Sequence, residues 1–348
     1  MPNKSISLNQ QLEEELEEFL HNEDMSCPHT HMGLTKLVNQ ISAYKEEGKN
    51  LFPEVYITDN LSSIRTTLIN AEFIKIGTGG RLPGIILRAL KKCAPLAFGG
   101  WCIYVLRHED KFEFGLFRAG ATIISMPIFK NIIEDGNVEE TLIAVRQIAE
   151  KIVEVKGVKG NVLNINFGLS STMDDSIITA QNDFVSQLLS NANTNVKEQM
   201  STFYSRLFLY VMQNGHGNLS VVVDSKKSYP KILTDGIVLE KPIFVDEVIS
   251  ELNKMLSAVN TLELNSKLNG AFNIIAGMLM SDGITVFSNK GGVLAYNVFI
   301  KHPKDVAENL DGGARSRTFA VLENKLSTSI KAIYIQSQDG NTESKKHE

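Results

Sequence analysis

The chain has 348 residues, of which 43% are hydrophobic and 22% charged, and its formal net charge is -5. These values are typical of a globular protein with two or three domains. The negative charge excludes a global attraction to nucleic acid or to an anionic membrane, so we expect neither as a partner. The sequence has neither a run of about 18 apolar residues nor the apolar stretch of a signal peptide, so we expect a cytoplasmic protein without a membrane-spanning helix.

The first predicted element is a helix over residues 8–21 with a strongly acidic face. Cys27, His29 and His31 follow it within one short stretch. Cysteine and histidine are zinc ligands, but a complete site needs three or four of them and no second cluster is spaced to complete it. A polar loop is the alternative. The three cysteines, Cys27, Cys93 and Cys102, are few and odd in number, and with no export signal we expect free thiols in a reducing cytosol.

Apolar periodicity predicts a mixture of helices and strands through the rest of the first half. The predicted helices cover residues 34–47, 61–70 and 139–155, and the predicted strands cover 55–58 and 121–126. A β-hairpin is predicted from two arms with alternating apolar residues, 101–107 and 111–117.

A glycine-rich segment, residues 77–80 (GTGG), follows a short predicted strand and precedes a predicted helix at 85–92. A strand, a glycine turn and a helix N-terminus in this order can bind phosphate through backbone N–H groups. The segment matches neither the P-loop nor the dinucleotide-binding fingerprint, and an ordinary connector is the alternative. If it forms an anion site, we expect Gly79, Gly80 and Arg81 to hold the anion.

The pattern of the second half is typical of another α/β domain. The predicted helices cover residues 181–213, 243–259 and 312–326, and the predicted strands cover 218–224, 284–287, 293–300 and 332–335. Residues 288–292 (SNKGG) predict a hairpin turn, because glycine accepts positive φ angles. The polar stretch 168–175 is a border between the halves, and the polar tail from residue 338 predicts disorder.

Two clusters in the second half can carry chemistry. Asp282 and Gly283 begin a predicted strand, where a carboxylate can hold a divalent cation and glycine lets a ligand approach the backbone. Taken alone, this pair is more commonly a turn. Arg315 and Arg317 lie at a predicted helix start, where their charge opposes the helix dipole unless an anion is bound. A solvated basic helix start is the alternative.

These clusters also carry a family resemblance. Residues 281–295 (SDGITVFSNKGGVLA) resemble the Asp-Gly-Ala motif segment of the diadenylate cyclases, and residues 313–318 (GARSRT) resemble their Gly-Thr-Arg-His-Arg motif. Residues 217–223 (GNLSVVV) are similar to the first core strand of that family, and residues 335–337 (IQS) to the end of the last. The first 180 residues lie outside the resemblance. Some relatives carry an extra N-terminal region thought to sense a ligand.

The resemblance implies that two ATP molecules, held by two facing subunits, are joined into cyclic di-AMP with release of pyrophosphate. A homodimer or a higher homo-oligomer is therefore expected. Asp282 would hold Mg²⁺ or Mn²⁺, Gly283 would leave room for the nucleotide, Arg315 and Arg317 would neutralise phosphate charge, and Ser337 would donate a hydrogen bond to phosphate. The other residues that would line the nucleotide are Ile284, Gly313, Ala314, Ser316 and Thr318.

The sequence departs from the family pattern at three positions. Ile284 replaces an alanine, Ala314 a threonine and Ser316 a histidine. Each lost contact would cost about 1–3 kcal/mol if it served the transition state. Two functions therefore stay open, an active diadenylate cyclase and a catalytically degenerate sensor of a nucleotide or cyclic dinucleotide on the same fold.

We expect two α/β domains. Residues 1–180 are predicted to form a mixed α/β domain, which either binds a small molecule of unidentified chemistry as a sensor or serves as a structural oligomerisation module. Residues 181–340 are predicted to form a diadenylate-cyclase-like domain, a mixed sheet flanked by helices. Residues 341–348 are the predicted disordered tail.

Overall fold

The predicted fold class is confirmed, because the chain forms two compact α/β units. The computed structural model describes residues 8–68, 70–119, 122–134, 141–168, 171–173, 176–233, 235–255, 258–300, 313–337 and 341–347. The N-terminal unit comprises Met1–Ala121 and Met126–Asp174, and the C-terminal unit comprises Thr122–Ser125 and Asp175–Glu348. The division after residue 174 lies near the predicted boundary at 180, but the membership of residues 122–125 in the C-terminal unit was not predicted.

The N-terminal unit is built around one large sheet. Its helices are α1 Leu8–Asn22, α2 Pro28–Ile41, α3 Ser62–Thr67 and α4 Pro83–Cys93. Its strands are β1 Lys45–Glu46, β2 Lys49–Asn50, β3 Val55–Thr58, β4 Glu72–Gly80, β5 Cys102–Arg107, β6 Lys111–Arg118, β7 Leu142–Ala149, β8 Ile152–Gly157, β9 Val162–Asn166 and β10 Ser171–Met173. Strands β3 to β10 form an eight-stranded sheet in the order β10-β9-β8-β7-β3-β5-β6-β4. The β3–β5 pair is parallel, and the other described pairs are antiparallel.

Both faces of this sheet are covered. Alternate strand residues such as Val55 and Ile57 pack with buried residues of α1, α2 and α4 in one core cluster. Tyr56 and Tyr104 belong to a second cluster, which includes Phe129 from the segment before β7. Strands buried on both faces favour continuous apolar sequence.

Three predictions in this unit are wrong or displaced. The predicted helix over 139–155 is the antiparallel hairpin of β7 and β8. The predicted strand over 121–126 is a turn in its described part, residues 122–126. The helix predicted at 34–47 is α2, which begins at Pro28 and ends at Ile41. The hairpin at 101–117 is confirmed as β5 and β6.

The C-terminal unit is also built around one sheet. Its helices are α5 Ser176–Leu188, α6 Lys197–Asn214, α7 Asp246–Lys254, α8 Ala258–Met280 and α9 Ala314–Glu323. Its strands are β11 Asn218–Val223, β12 Asp235–Ile243, β13 Ile284–Ser288, β14 Val293–Phe299, β15 Ile330–Gln336 and β16 Thr342–Lys346. The sheet order is β12-β14-β13-β11-β15-β16, and β11–β13 is its parallel pair.

Two core clusters sandwich the second sheet. Helices α5 to α8 pack with Val222 and Phe287 on one face, and Phe319 of α9 packs with Leu219 and Val221 on the other. Residues 122–125 also join the first of these clusters through Ile123 and Ile124.

Two predictions in this unit need correction, and one strand was missed. The predicted long helix over 181–213 is two helices, α5 and α6, separated by a polar segment. Strand β12 was not predicted. The predicted disorder of the tail is wrong for residues 342–346, which form β16 and pair with β15. Among the described residues, no helix is long and apolar enough to cross a membrane.

Candidate functional site

Asp282 lies in a tight bend between α8 and β13. Helix α8 ends at Met280, and the Ser281 hydroxyl donates a hydrogen bond to the Met278 carbonyl at 2.6 Å. Gly283 has a φ of +81°, and a Cβ there would lie 2.9 Å from backbone atoms of Asn297 and Val298. Glycine is therefore required next to Asp282 by backbone conformation and by space.

Arg315 reaches Asp282 from α9. The helix begins at Ala314, directly after Gly313, and places Arg315 in its first turn. The Arg315 Nη2 atom lies 3.7 Å from Asp282 Oδ1, and Nη1 donates a hydrogen bond of 3.1 Å to the His216 carbonyl. Its Nε atom is buried and has no hydrogen-bond partner among the described residues. The two motifs singled out in the sequence thus meet in space.

Strand register adds Ser337 to the same sheet end. Leu219 of β11 is level with Ile284 of β13 and with Ile335 of β15. Two residues beyond each of these lie Gly217, Asp282 and Ser337, which therefore line one end of three neighbouring strands. Two strand spacings separate Asp282 from Ser337, on the order of 10 Å.

Ser337 also has a structural role in the turn between β15 and β16. Its backbone N–H donates to the Asn341 carbonyl at 2.8 Å, and its hydroxyl oxygen accepts the Asn341 N–H at 3.1 Å. The hydroxyl hydrogen stays available for a ligand, because no acceptor for it is found among the described residues.

The first turn of α9 carries most of the remaining predicted residues. Gly313, Ala314 and Ser316 are exposed, and Arg317 is partly buried. Thr318 uses its hydroxyl within the helix, where it donates to the Ala314 carbonyl at 2.9 Å. Gly313 provides no side-chain cap for the helix.

Ile284 does not join these residues. Its side chain is 1% exposed and belongs to the core cluster that packs against α9. The isoleucine side chain, which is larger than the alanine of the family motif, is thus buried in the core. The structure corrects the prediction that Ile284 lines a nucleotide.

The electrostatic arrangement is suited to an anion. Helix α9 presents the positive end of its dipole together with two arginines in the same turn. Arg315 is held by one carbonyl and one distant carboxylate, so part of its donor capacity remains open. Asp282 is 76% exposed at its side chain and provides the one negative group that the described contacts place beside Arg315.

Among the described residues, the site offers a cation one open carboxylate, that of Asp282. Asp282 Oδ1 accepts the Gly283 N–H at 2.9 Å, and Oδ2 has no contact within the described parts of the chain. No group of three metal-ligating side chains is found among the described residues. One open carboxylate still fits Mg²⁺ or Mn²⁺, because such ions are commonly held by one or two carboxylates plus substrate phosphates.

A buried polar network below the site was not predicted. Asn218 Nδ2 donates to Gln336 Oε1 at 3.0 Å, and the Ser220 hydroxyl donates to Asn218 Oδ1 at 3.1 Å. Gln336 Nε2 also reaches the Met212 carbonyl near the end of α6 at 3.4 Å. These contacts fix β11 and β15 beside the loop that contains His216. Polar residues within otherwise apolar strands were the signal in the sequence.

The predicted anion site of the N-terminal unit is not formed. Residues 77–80 are not a turn but the end of β4, where Gly79 pairs with Phe112 and Gly80 with Lys111. A Cβ on Gly79 would overlap Ile85, so this glycine lets α4 pack closely on the strand. Arg81 instead binds the turn between β5 and β6, because Nη1 donates to the Glu109 carbonyl at 3.1 Å.

The Cys27 segment also differs from its prediction. Residues 28–31 form the first turn of α2 and not a polar loop, and His31 Nε2 lies 2.8 Å from the Glu13 carbonyl.

Comparisons of the chain with protein-family models, with curated proteins and with solved structures give no match. The resemblance of the C-terminal motifs to the diadenylate cyclases therefore stays a prediction.

Proposed function

We propose that the C-terminal unit is a diadenylate cyclase that condenses two ATP molecules into cyclic di-AMP and pyrophosphate. The observation that carries this proposal is the meeting of Asp282 with Arg315 at the N-terminus of α9, where Gly313 provides no side-chain cap. A carboxylate next to a cluster of phosphate-binding groups is what a nucleotidyl transfer needs. The motif resemblance supplies the substrate and the product.

Each residue has a role in the transfer. The 3′-hydroxyl oxygen of one ATP attacks the α-phosphorus of the other, the bond from that phosphorus to the β-phosphate bridging oxygen breaks, and pyrophosphate leaves with the electron pair. The hydroxyl proton passes to solvent. Arg315, Arg317 and the backbone N–H groups of the first turn of α9 bind and orient the phosphates. Gly283 would leave room for the nucleotide, as the motif resemblance implies. The same transfer in the opposite sense closes the ring.

A divalent cation, Mg²⁺ or Mn²⁺, would supply charge neutralisation at the phosphates when bound. Asp282 would hold it through its free carboxylate oxygen. Arg315 lies beside the same carboxylate, so phosphate binding by Arg315 would leave Asp282 free for the cation.

The reaction also implies a second subunit. One C-terminal unit has one such site, and two nucleotides must face each other for both bonds to form. We therefore propose a homodimer or a higher homo-oligomer as the active species.

The alternative is a sensor on the same fold that binds a nucleotide or a cyclic dinucleotide without turnover. Ala314 and Ser316 favour it, because both are exposed in the first turn of α9 and neither restores the threonine hydroxyl or the histidine imidazole of the family motif. Arg315, Arg317 and the helix N-terminus would serve binding in either case.

The test is incubation of the purified full chain with ATP and Mn²⁺ or Mg²⁺, followed by mass spectrometry for a cyclic dinucleotide. Asp282→Asn should abolish product and leave the circular dichroism spectrum unchanged, because the side chain is exposed. Asp110→Asn, at an exposed aspartate in the turn between β5 and β6, is the matched control and should retain full product formation.

Two outcomes contradict the cyclase. Undiminished product from Asp282→Asn would remove this residue from the reaction. The absence of product with every nucleotide and metal, together with tight nucleotide binding, would establish the sensor in its place.

A further inference from the structure

The loop between α6 and β11 consists of Gly215, His216 and Gly217, and it is built into the candidate site. The Gly215 N–H closes α6 by donating to the Val211 carbonyl at 2.7 Å, and a Cβ on Gly215 would lie equally close to that carbonyl oxygen. Gly217 has a φ of +96° and is buried. The backbone conformation and close contacts of this loop therefore require glycine on both sides of His216, and His216 is the one residue of the loop that has a side chain.

His216 contacts the site through its backbone already. Its carbonyl oxygen accepts the 3.1 Å hydrogen bond from Arg315 Nη1. Strand register places the neighbouring Gly217 beside Asp282, two residues before the Leu219–Ile284 pair. The imidazole is exposed and makes no hydrogen bond or ion pair among the described residues. The ring is thus without a partner among the described residues, on a residue whose backbone binds Arg315, a group assigned to phosphate.

We propose that the imidazole of His216 donates a hydrogen bond to the triphosphate of the bound nucleotide. This inference rests on the proposed function. It adds a further side-chain donor to Arg315, Arg317 and Ser337, from an element that neither motif includes. An imidazole N–H is a suitable donor for a phosphate oxygen, and one well-placed donor to a charged group changes affinity measurably.

The position allows the side chain to be tested apart from the backbone contact. Replacement of His216 leaves its carbonyl in place, so Arg315 keeps its hydrogen bond in every variant. The φ angle of His216 is not positive, and its side chain is exposed, so alanine and glutamine fit without strain or a cavity. Any effect therefore comes from the imidazole.

The experiment is calorimetric titration of the full chain with α,β-methylene-ATP and Mg²⁺, and separately with adenosine. His216→Ala should weaken binding of the triphosphate analogue about 10-fold and change adenosine binding less than twofold. His216→Gln should lie between, because its amide keeps a donor. His21→Ala, at an exposed histidine in α1, is the control and should bind both ligands as the wild type does.

Three results would overturn the inference. Equal affinity of His216→Ala and wild type for the analogue would exclude the imidazole from the phosphate site. An equal loss for the analogue and for adenosine would mean that His216 shapes the loop and does not contact phosphate. A wild-type chain that binds neither ligand would refute the proposed function itself, and this result is distinguishable from the first two.

Discussion

Replacement of Gly283 by alanine tests the local structure on which the site depends. The φ angle of +81° costs a residue with a Cβ about 1–2 kcal/mol. The new methyl group would also lie 2.9 Å from backbone atoms of Asn297 and Val298 in β14, which cannot move as a flexible side chain does. Such overpacking costs about 1–3 kcal/mol. The sum predicts that Gly283→Ala lowers the free energy of unfolding by about 2–5 kcal/mol.

The single tryptophan allows the unfolding of the two units to be told apart. Trp101 is the only tryptophan of the chain and lies in the N-terminal unit, so its fluorescence reports unfolding there, whereas circular dichroism reports both units. In urea, with a slope of about 2 kcal/mol per molar, Gly283→Ala should move the C-terminal transition down by about 1–2.5 M. The Trp101 transition should stay in place if the units unfold independently.

Gly270→Ala is the matched control. Gly270 lies inside α8, and no atom lies within 4 Å of the position of an added Cβ. Alanine there should stabilise the chain by about 0.5–1 kcal/mol, because glycine is unfavourable in a helix interior. A Gly283→Ala protein as stable as the wild type, or a loss equal in both variants, would refute the reasoning from φ and backbone contact.

Three further predictions concern the ion pair of Asp59 with Arg107, its pH dependence and the dependence of turnover on assembly. Asp59→Ala should destabilise the N-terminal unit by about 2–4 kcal/mol in urea unfolding followed by Trp101 fluorescence, because it leaves the buried Arg107 guanidinium without the carboxylate that it binds at 2.7 Å. Asp24→Asn, which breaks an exposed ion pair with Lys159 in the same unit, is the control and should leave the Trp101 transition almost in place, because exposed ion pairs contribute little to stability. Burial alone would raise the pKa of Asp59, but hydrogen bonds, chiefly from Arg107, outweigh it and hold the pKa below its ordinary value. Its contribution to stability is therefore complete above about pH 4 and is lost as the pH falls through the lowered pKa, which acid titration of Trp101 fluorescence checks in wild type and Asp59→Ala. Cyclase turnover per subunit should fall on dilution into the range where sedimentation shows dissociation, and constant turnover from a monomer would contradict the need for two sites.

The sequence predicts buried strands well where polar residues mark the turn between them and poorly where the turn carries no such signal. Strands β5 and β6 are largely buried, and their hairpin was predicted because the polar residues 108–110 lie between them. Strands β7 and β8 are buried on both faces, and their apolar residues recur at a spacing that is also compatible with a helix. The turn between them uses Lys151 at a φ of +60°, without a glycine or proline to signal it.

The site was predictable where its chemistry lies in short motifs. Asp282, Gly283 and Arg315 were identified from residue type and spacing, and the structure brings Asp282 and Arg315 together. The contact of the His216 carbonyl and the network of Asn218 and Gln336 were not identified from the sequence, because these contacts depend on the register of strands distant in sequence. The burial of Ile284 likewise follows from packing against α9 and not from its neighbours in sequence.

The glycines of the N-terminal unit led to the prediction of a site that is not formed. Gly77 and Gly79 suggested a phosphate-binding turn, yet a Cβ on either would collide with a neighbouring side chain, Phe114 or Ile85. Glycine serves close packing as well as turns, and the sequence alone does not separate these uses.

The passage of residues 122–125 through the C-terminal unit limits how this protein can be divided or recombined. Arg206 of α6 binds the Ser125 carbonyl at 2.8 Å, and Ile123 and Ile124 pack in the same unit, whereas the chain on both sides belongs to the N-terminal unit. A fragment that begins at α5 would lack this segment and expose the apolar surface that it covers. One genetic crossover therefore cannot exchange either unit as a complete module. A recombinant protein made in this way would have a C-terminal unit without its own residues 122–125.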